Sequence, residues 1–197
     1  RSTLFPYTTL FRSSITTISA SAFASCSSLT TISFPKCTSV GSSAFISCSQ
    51  LTEANLPECT TLGTYAFRNC SNLASISFPK CTVVPSQAFG YCTNSLSFVS
   101  LSLASIIYSS AFQGCQQLKE VKLSACTSIG DMAFASCWNL ISFNLTGISA
   151  VPTLGAARAF QSTPISTYST VAGQYGSIYV PSSLYASFQT ATNWSDY

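Results

Sequence analysis

Ten cysteines are the residues of this 197-residue chain best equipped to do chemistry. They recur every eleven residues, as Cys26, Cys37, Cys48, Cys59, Cys70, Cys81 and Cys92, and again as Cys115, Cys126 and Cys137. Three chemistries suit such a series. A tetrahedral zinc site would need a Cys-x-x-Cys pair or histidines to complete it, and the chain has neither. Disulfides would join cysteines of one column on adjacent coils, but the bond needs a Cβ geometry that in-register strands rarely offer. Free cysteine also behaves as a small buried hydrophobe and fits an apolar column. The spacing favours reduced, buried thiols.

Other reactive groups are thinner. Histidine, the commonest general base, is absent. The carboxylates Glu53, Glu58, Glu120, Asp131 and Asp196 are dispersed and form no pair at the spacing of an acid/base dyad. Serine is abundant but has no base to activate it. Asn69-Cys70-Ser71, Asn144-Leu145-Thr146 and Asn193-Trp194-Ser195 match the glycosylation acceptor, and two of them overlap core columns. The expectation is no catalytic residue, no cofactor and no metal. Charged residues make up 7% of the chain and are not clustered, a poor footprint for nucleic acid. No apolar run is long enough to span a bilayer.

What positions the cysteines is a repeat. Ala-Phe pairs stand at Ala22-Phe23, Ala44-Phe45, Ala66-Phe67, Ala88-Phe89, Ala111-Phe112 and Ala133-Phe134, in steps of 22, 22, 22, 23 and 22, with a degenerate copy at Ala159-Phe160. The shared pattern is Ala-Phe-x-x-Cys-x-x-Leu. A fixed period of this size means a solenoid, each coil burying its apolar face against its neighbours. The phenylalanines are expected to stack as a core spine. Downstream of each Leu come two apolar columns separated by one polar position. The first is Ile32, Ala54, Ile76, Val99, Val121 and Phe143; the second is Phe34, Leu56, Phe78, Leu101, Leu123 and Leu145. That alternation predicts a strand with one face buried, stacked into a parallel ladder about 4.8 Å apart. Pro35, Pro57 and Pro79 end it in three coils. Val40, Leu62, Val84, Ile107 and Ile129 form a second apolar column on the return side, which Ile18 joins.

The fourth coil carries one extra residue between Cys92 and Leu96, which a turn should absorb. After Leu145 the pattern loosens: Ile148 and Val151 keep their spacing, and about four extra residues precede Ala159-Phe160. Residues 177–188 predict a short strand, a stop at Pro181 and a small helix with Ser182 as N-cap. Leu184, Tyr185, Phe188 and Ala191 would share its buried face. An open solenoid end exposes apolar surface and strand edge, so this tail is expected to be a cap.

Residues 1–13 do not follow the repeat. Residues 3–13, TLFPYTTLFRS, match codon for codon a common short-read sequencing adapter, so the segment is taken as an adapter scar and excluded from fold reasoning. Without Arg1 and Arg12, six basic and five acidic side chains remain. On this view the native N-terminus is missing, and the lack of a signal peptide says nothing about secretion. The expected division is 1–13 adapter scar, 14–160 solenoid and 161–197 C-terminal cap.

The repeated Ala-Phe-x-x-Cys-x-x-Leu-x-x-Ile-x-Phe-Pro resembles the BspA-like leucine-rich repeats of bacterial surface proteins, also found in some protozoa. Ile178-Tyr179-Val180-Pro181-Ser182 and Ala191-Thr192-Asn193-Trp194-Ser195 are similar to the C-terminal cap of such proteins from gut bacteria. The resemblance covers residues 14 to 197. It implies a β-rich α/β repeat fold, a curved leucine-rich-repeat solenoid of 22–23-residue coils, used for adhesion or other surface recognition. It implies no catalytic residue and a cell-surface or secreted location. The departure is the second cysteine column, Cys37, Cys59, Cys81 and Cys126.

Side chains flanking the inward column should point outward: Thr31 and Ser33, Glu53 and Asn55, Ser75 and Ser77, Phe98 and Ser100, Glu120 and Lys122, Ser142 and Asn144. Solenoids recognise partners on such extended faces. Phe98, the one large apolar residue in the set, is the first anchor candidate. The expectation is a monomeric, non-catalytic recognition module that binds a protein or glycan on a cell or matrix surface, without nucleic acid or membrane insertion. The competing expectation is a structural spacer, or part of a larger surface or phage-like assembly, with no ligand of its own.

Overall fold

The computed structural model describes residues 14–166, 175–195 and 197; the adapter-like residues 1–13 lie outside them, as does Asp196. Each coil runs through three faces. On the first, short strands stack in parallel: β2 (Thr31–Ser33), β4 (Glu53–Asn55), β6 (Ser75–Ser77), β8 (Phe98–Leu101), β10 (Glu120–Leu123), β12 (Ser142–Asn144) and β14 (Ser177–Tyr179). Register follows the repeat, Ile32 opposite Ala54 opposite Ile76, then Val99 opposite Val121 opposite Phe143 opposite Ile178. Where Ser102 and Ser124 stand in place of the prolines, β8 and β10 reach four residues instead of three. A ladder donor is available there that proline lacks.

The second face was expected as an apolar column only. It is a second parallel ladder of two-residue strands: β1 (Thr17–Ile18), β3 (Ser39–Val40), β5 (Thr61–Leu62), β7 (Val83–Val84), β9 (Ile106–Ile107), β11 (Ser128–Ile129) and β13 (Thr153–Leu154). Two residues are too few to show an alternation, which is why the period-2 signal is invisible here. The last rung corrects the expected register. Leu154, not Val151, pairs with Ile129, so most of the extra residues lie before β13.

The third face is a stack of tight turns around Ala-Phe. Residues two before and two after each phenylalanine from Phe23 to Phe134 take a positive φ, as at Ser43 (56°) and Ser47 (59°). The bent backbone then offers its amides to the next coil: Phe45 N–H donates to Ala66 O (2.8 Å), Phe67 to Ala88 (2.8 Å) and Phe89 to Ala111 (2.9 Å). Within these turns coils approach closely. A Cβ on Gly63 would lie 2.3 Å from the amide nitrogen of Ser42, which is why glycine follows Leu62.

Inside, Phe23, Phe45, Phe67, Phe89, Phe112, Phe134 and Phe160 form one column of parallel rings, 5.1 to 5.7 Å between successive centroids. The spine is as expected, and so are the thiols: all ten cysteines are free, nine are buried, and only Cys26 in the first described coil is exposed. From Cys48 on, each spine cysteine donates its S–H to the carbonyl of the phenylalanine one coil earlier, Cys48 to Phe23 and Cys70 to Phe45 at 3.1 Å, Cys137 to Phe112 at 3.2 Å. A thiol is thus both apolar filler and weak donor. Burial pushes the Cys70 thiol up to about 12 and Cys126 to about 11, and raises Cys92 and Cys137 as well.

The extra residue of the fourth coil does more than lengthen a turn. The first ladder is split into β2-β4-β6 and β8-β10-β12-β14, and Ile76 at the split is only half-buried. The second ladder splits one rung earlier, into β1-β3-β5 and β7-β9-β11-β13. Its cause is Pro85. In neighbouring coils the residue at this place donates to the carbonyl one coil back, Gly41 to Ile18, Gly63 to Val40, Tyr108 to Val84 and Gly130 to Ile107. Proline has no N–H to give Leu62. The turn face and the phenylalanine column cross this seam unbroken.

At the C-terminal end, β14 adds a last strand, followed by a 3-10 turn (Ser182–Leu184) and the short helix α1 (Tyr185–Thr190). Ser182 is not an N-cap: Pro181 occupies that place and no side chain caps the turn. Phe188 is buried and Leu184 and Ala191 are half-buried against the core, but Tyr185 points out and is 59% exposed. Side chains supply the bonds that a further coil would have made. Asn193 Nδ2 donates to Leu154 O (2.8 Å) and Trp194 Nε1 to Pro152 O (2.6 Å). Trp194 and Tyr197 cover the last spine ring, Phe160. No helix among the described residues is long and apolar enough to cross a membrane.

Candidate functional site

The inward columns leave the flanking side chains of the first ladder nowhere to go but outward. Thr31, Ser33, Glu53, Ser75, Ser77, Phe98, Ser100, Glu120 and Lys122 are exposed, and Asn55, Ser142 and Asn144 are half-buried. Pairing sets them in rows. In the first half-ladder Thr31, Glu53 and Ser75 form one row and Ser33, Asn55 and Ser77 the next. In the second, Phe98, Glu120, Ser142 and Ser177 form one row and Ser100, Lys122, Asn144 and Tyr179 the other. The seam separates the halves, so the candidate residues do not make one unbroken surface.

The second half differs in substance. Phe98 and Tyr179 are each 49% exposed and stand at opposite corners of the four-stranded sheet. At about 4.8 Å per strand they lie about 14 Å apart across it. Between them are Glu120, Lys122, Ser142 and Asn144. Neither Glu120 nor Lys122 belongs to an ion pair; the pairs formed among described residues are Lys80 with Glu58 and Arg158 with Asp131. The result is a flat, polar surface with one charge of each sign and an aromatic ring at two corners. Such rings supply rigid contact area, and the charges supply orientation. Asn144 is partly committed, because its Oδ1 accepts from the amide and hydroxyl of Thr146.

Tyr179 was missing from the expected set. The tail has the pattern of a cap, and nothing in a single copy of Ile178-Tyr179-Val180 places Tyr179 in a row with Asn144 and Lys122. The period-2 rule, extended through β14, would have found it.

No group of three or more Cys, Asp, Glu or His among the described residues could hold a metal ion. Burial pushes the thiols of Cys70, Cys92, Cys126 and Cys137 up and shields them, the opposite of a reactive cysteine. Of the glycosylation matches, Asn193 is held by Leu154 and Asn144 by Thr146.

The chain matches the family model described as BspA type Leucine rich repeat region (6 copies) over residues 7–103 and 82–170. Among solved structures, it is similar to the leucine-rich repeat protein TpLRR of T. pallidum, with 28% identity, a TM-score of 0.65, and coverage of 71% of this chain and 67% of that one. A leucine rich cell surface protein from Faecalibacterium prausnitzii A2-165 shares the fold, with 24% identity and a TM-score of 0.59. That match covers 70% of this chain but only 44% of the other, so this chain spans less than half of that protein's length. No curated protein sequence matches the chain.

Proposed function

The chain belongs to the BspA-type leucine-rich-repeat family, and on that premise we propose that it is a non-catalytic recognition module of a bacterial cell-surface or secreted protein. It holds a protein or glycan against the outward side of β8, β10, β12 and β14. One observation carries this: Phe98 and Tyr179, half-exposed on an in-register sheet, flank an unpaired Glu120 and Lys122. The fold spends its apolar residues on the interior, so rings left outside on a flat sheet suit contact with a partner. The surface location rests on the family and on a neighbour of the same fold described as a cell surface protein.

The test is a triple variant, Phe98→Ser, Lys122→Ser and Tyr179→Ser, assayed on immobilised matrix proteins and glycans. Serine already fills equivalent outward positions at Ser75, Ser77 and Ser100, so stability should change by no more than about 0.5 kcal/mol per site. Retention of the parent protein on at least one immobilised partner, reduced tenfold or more in the variant, is the expected result. Retention that survives all three substitutions would favour the spacer reading.

A further inference from the structure

A different cluster stands on the turn face, where the third and fourth coils meet. Arg68 lies between two tyrosines from neighbouring coils, its guanidinium carbon 5.6 Å from the Tyr65 ring centre and 5.4 Å from that of Tyr91. Both rings are 37% exposed. Arg68 has no carboxylate partner. Its Nε is buried without a hydrogen bond, and so is the nearby coil's Gln87 Oε1. Arg68 as a whole is only half-buried, so part of its side chain is open to solvent.

The backbone makes this arrangement costly. Tyr65 and Tyr91 have φ of 60° and 61°, a region that bulky residues seldom enter. The first column elsewhere holds Ser21, Ser43, Gln87, Ser110 and Met132, and the second Ser25, Ser47, Asn69, Gly114, Ser136 and Ser162, so Met132 is the one other large apolar residue in either. Small and amide residues suit that conformation better, and neither tyrosine ring belongs to the core that would repay the strain. The seat for Tyr91 is also shaped by its neighbour: a Cβ on Gly114 would lie 2.7 Å from Cδ1 of the Tyr91 ring.

We infer that Tyr65, Arg68 and Tyr91 form a second binding site, for a sugar that bears a carboxylate. Two rings within 6 Å of the guanidinium carbon hold the cation in place, and a guanidinium with no carboxylate of its own can receive a ligand carboxylate in plane through a charge-assisted bond. The exposed parts of the tyrosine rings supply an apolar surface for the C–H face of the sugar ring and phenol hydroxyls for its hydroxyl groups. One cation beside two rings matches one carboxylate per sugar. An acidic peptide or a polyphosphate would call for several cations, and Arg68 is alone here.

Isothermal titration with trigalacturonate, its methyl ester and polyglutamate tests the site. The free acid should bind, and the ester and polyglutamate should not. Arg68→Gln should abolish binding, and Tyr65→Ser and Tyr91→Ser should each weaken it about tenfold. Both serine variants should fold at least as stably as the parent, because serine occupies these columns in other coils. Phe98→Ser should leave trigalacturonate binding intact, which separates this site from the strand face. Absence of binding at millimolar acid, equal binding of the ester or of polyglutamate, or survival of binding in Arg68→Gln would each overturn the assignment.

Discussion

The two halves of the solenoid on either side of the seam share an interior and differ outside. Below it, the rows on β2, β4 and β6 carry only Thr31, Ser33, Glu53, Asn55, Ser75 and Ser77. Above it, the corresponding rows carry Phe98, Glu120, Lys122 and Tyr179. The wider surface leans the same way: apart from Tyr65, in the coil just below the seam, every large apolar side chain exposed among the described residues lies above it, including Leu103, Tyr108, Trp138 and Ile141. Yet the spine rings stack alike in both halves, at 5.1 Å between Phe45 and Phe67 and 5.2 Å between Phe89 and Phe112. The repeat constrains what points inward and leaves the outside free to vary. Contact chemistry has accumulated in one half, starting at the seam.

If the seam is where coupling between coils is weakest, damage above it should stay above it. Stability of a solenoid is the sum of coil terms and nearest-neighbour interfaces, and the seam has lost rungs from both ladders. Phe134→Ala removes a fully buried ring that stacks on Phe112 and Phe160 and meets Phe143 edge-on. The expected cost is about 3–5 kcal/mol. Hydrogen exchange should show the amides of β8, β10 and β12 losing protection while those of β2 and β4 keep theirs. A uniform loss across both halves would mean that the continuous turn face and ring column carry full cooperativity across the seam.

That seam also marks where the sequence stopped being legible. The 22-residue spacing, the phenylalanine spine and the buried thiols were all readable because each imposes one residue type on every coil. The outward rows were readable too, since a strand with a known inward column has no other place for its neighbours. The breaks were not. An extra residue between Cys92 and Leu96 looks harmless in a turn, and Pro85 looks like any loop proline until the missing donor to Leu62 is counted. Leu154 was passed over for Val151 because spacing alone cannot say where inserted residues loop out. Tyr65 and Tyr91 did depart from their columns, but a column of turn residues has no apolar period to draw attention to it.

Thiol chemistry gives a second contrast between the halves. The column through Cys37, Cys59 and Cys81 is all cysteine below the seam, whereas above it Ala104 and Ile148 flank Cys126. Folded-state thiols pushed above their ordinary value of 9.0 stabilise the fold fully below that pH. As pH rises from about 9 towards 12 the unfolded chain loses its thiol protons first, so stability falls across that window. Substituting Cys70→Ala should flatten the fall measured by denaturant titration at pH 8 and pH 10.5. At pH 8 an aromatic disulfide reagent should label Cys26 rapidly and the nine buried thiols only on unfolding. Rapid labelling of more than one thiol in the native state would show that coils open locally.

The smallest expected effect bears on the cause of the seam itself. Pro85→Ser gives the backbone a donor where Gly63 and Tyr108 already have one, facing the carbonyl of Leu62. A net hydrogen bond adds about 1 kcal/mol, and the freer unfolded chain takes back about the same, so stability should move little. Exchange should be the sensitive readout. If Pro85 alone interrupts the second ladder, the new amide at position 85 should be as protected as those of Gly63 and Tyr108, and residues 61–62 and 83–84 should exchange together. If that amide exchanges freely, the offset is imposed from the first face by the additional residue between Cys92 and Leu96, and deleting Ser95 should restore the rung instead. The first outcome means that the two ladders are broken by different local events, a missing donor and a surplus residue; the second means that one surplus residue breaks both, on coils held in register by the turn face and the ring column.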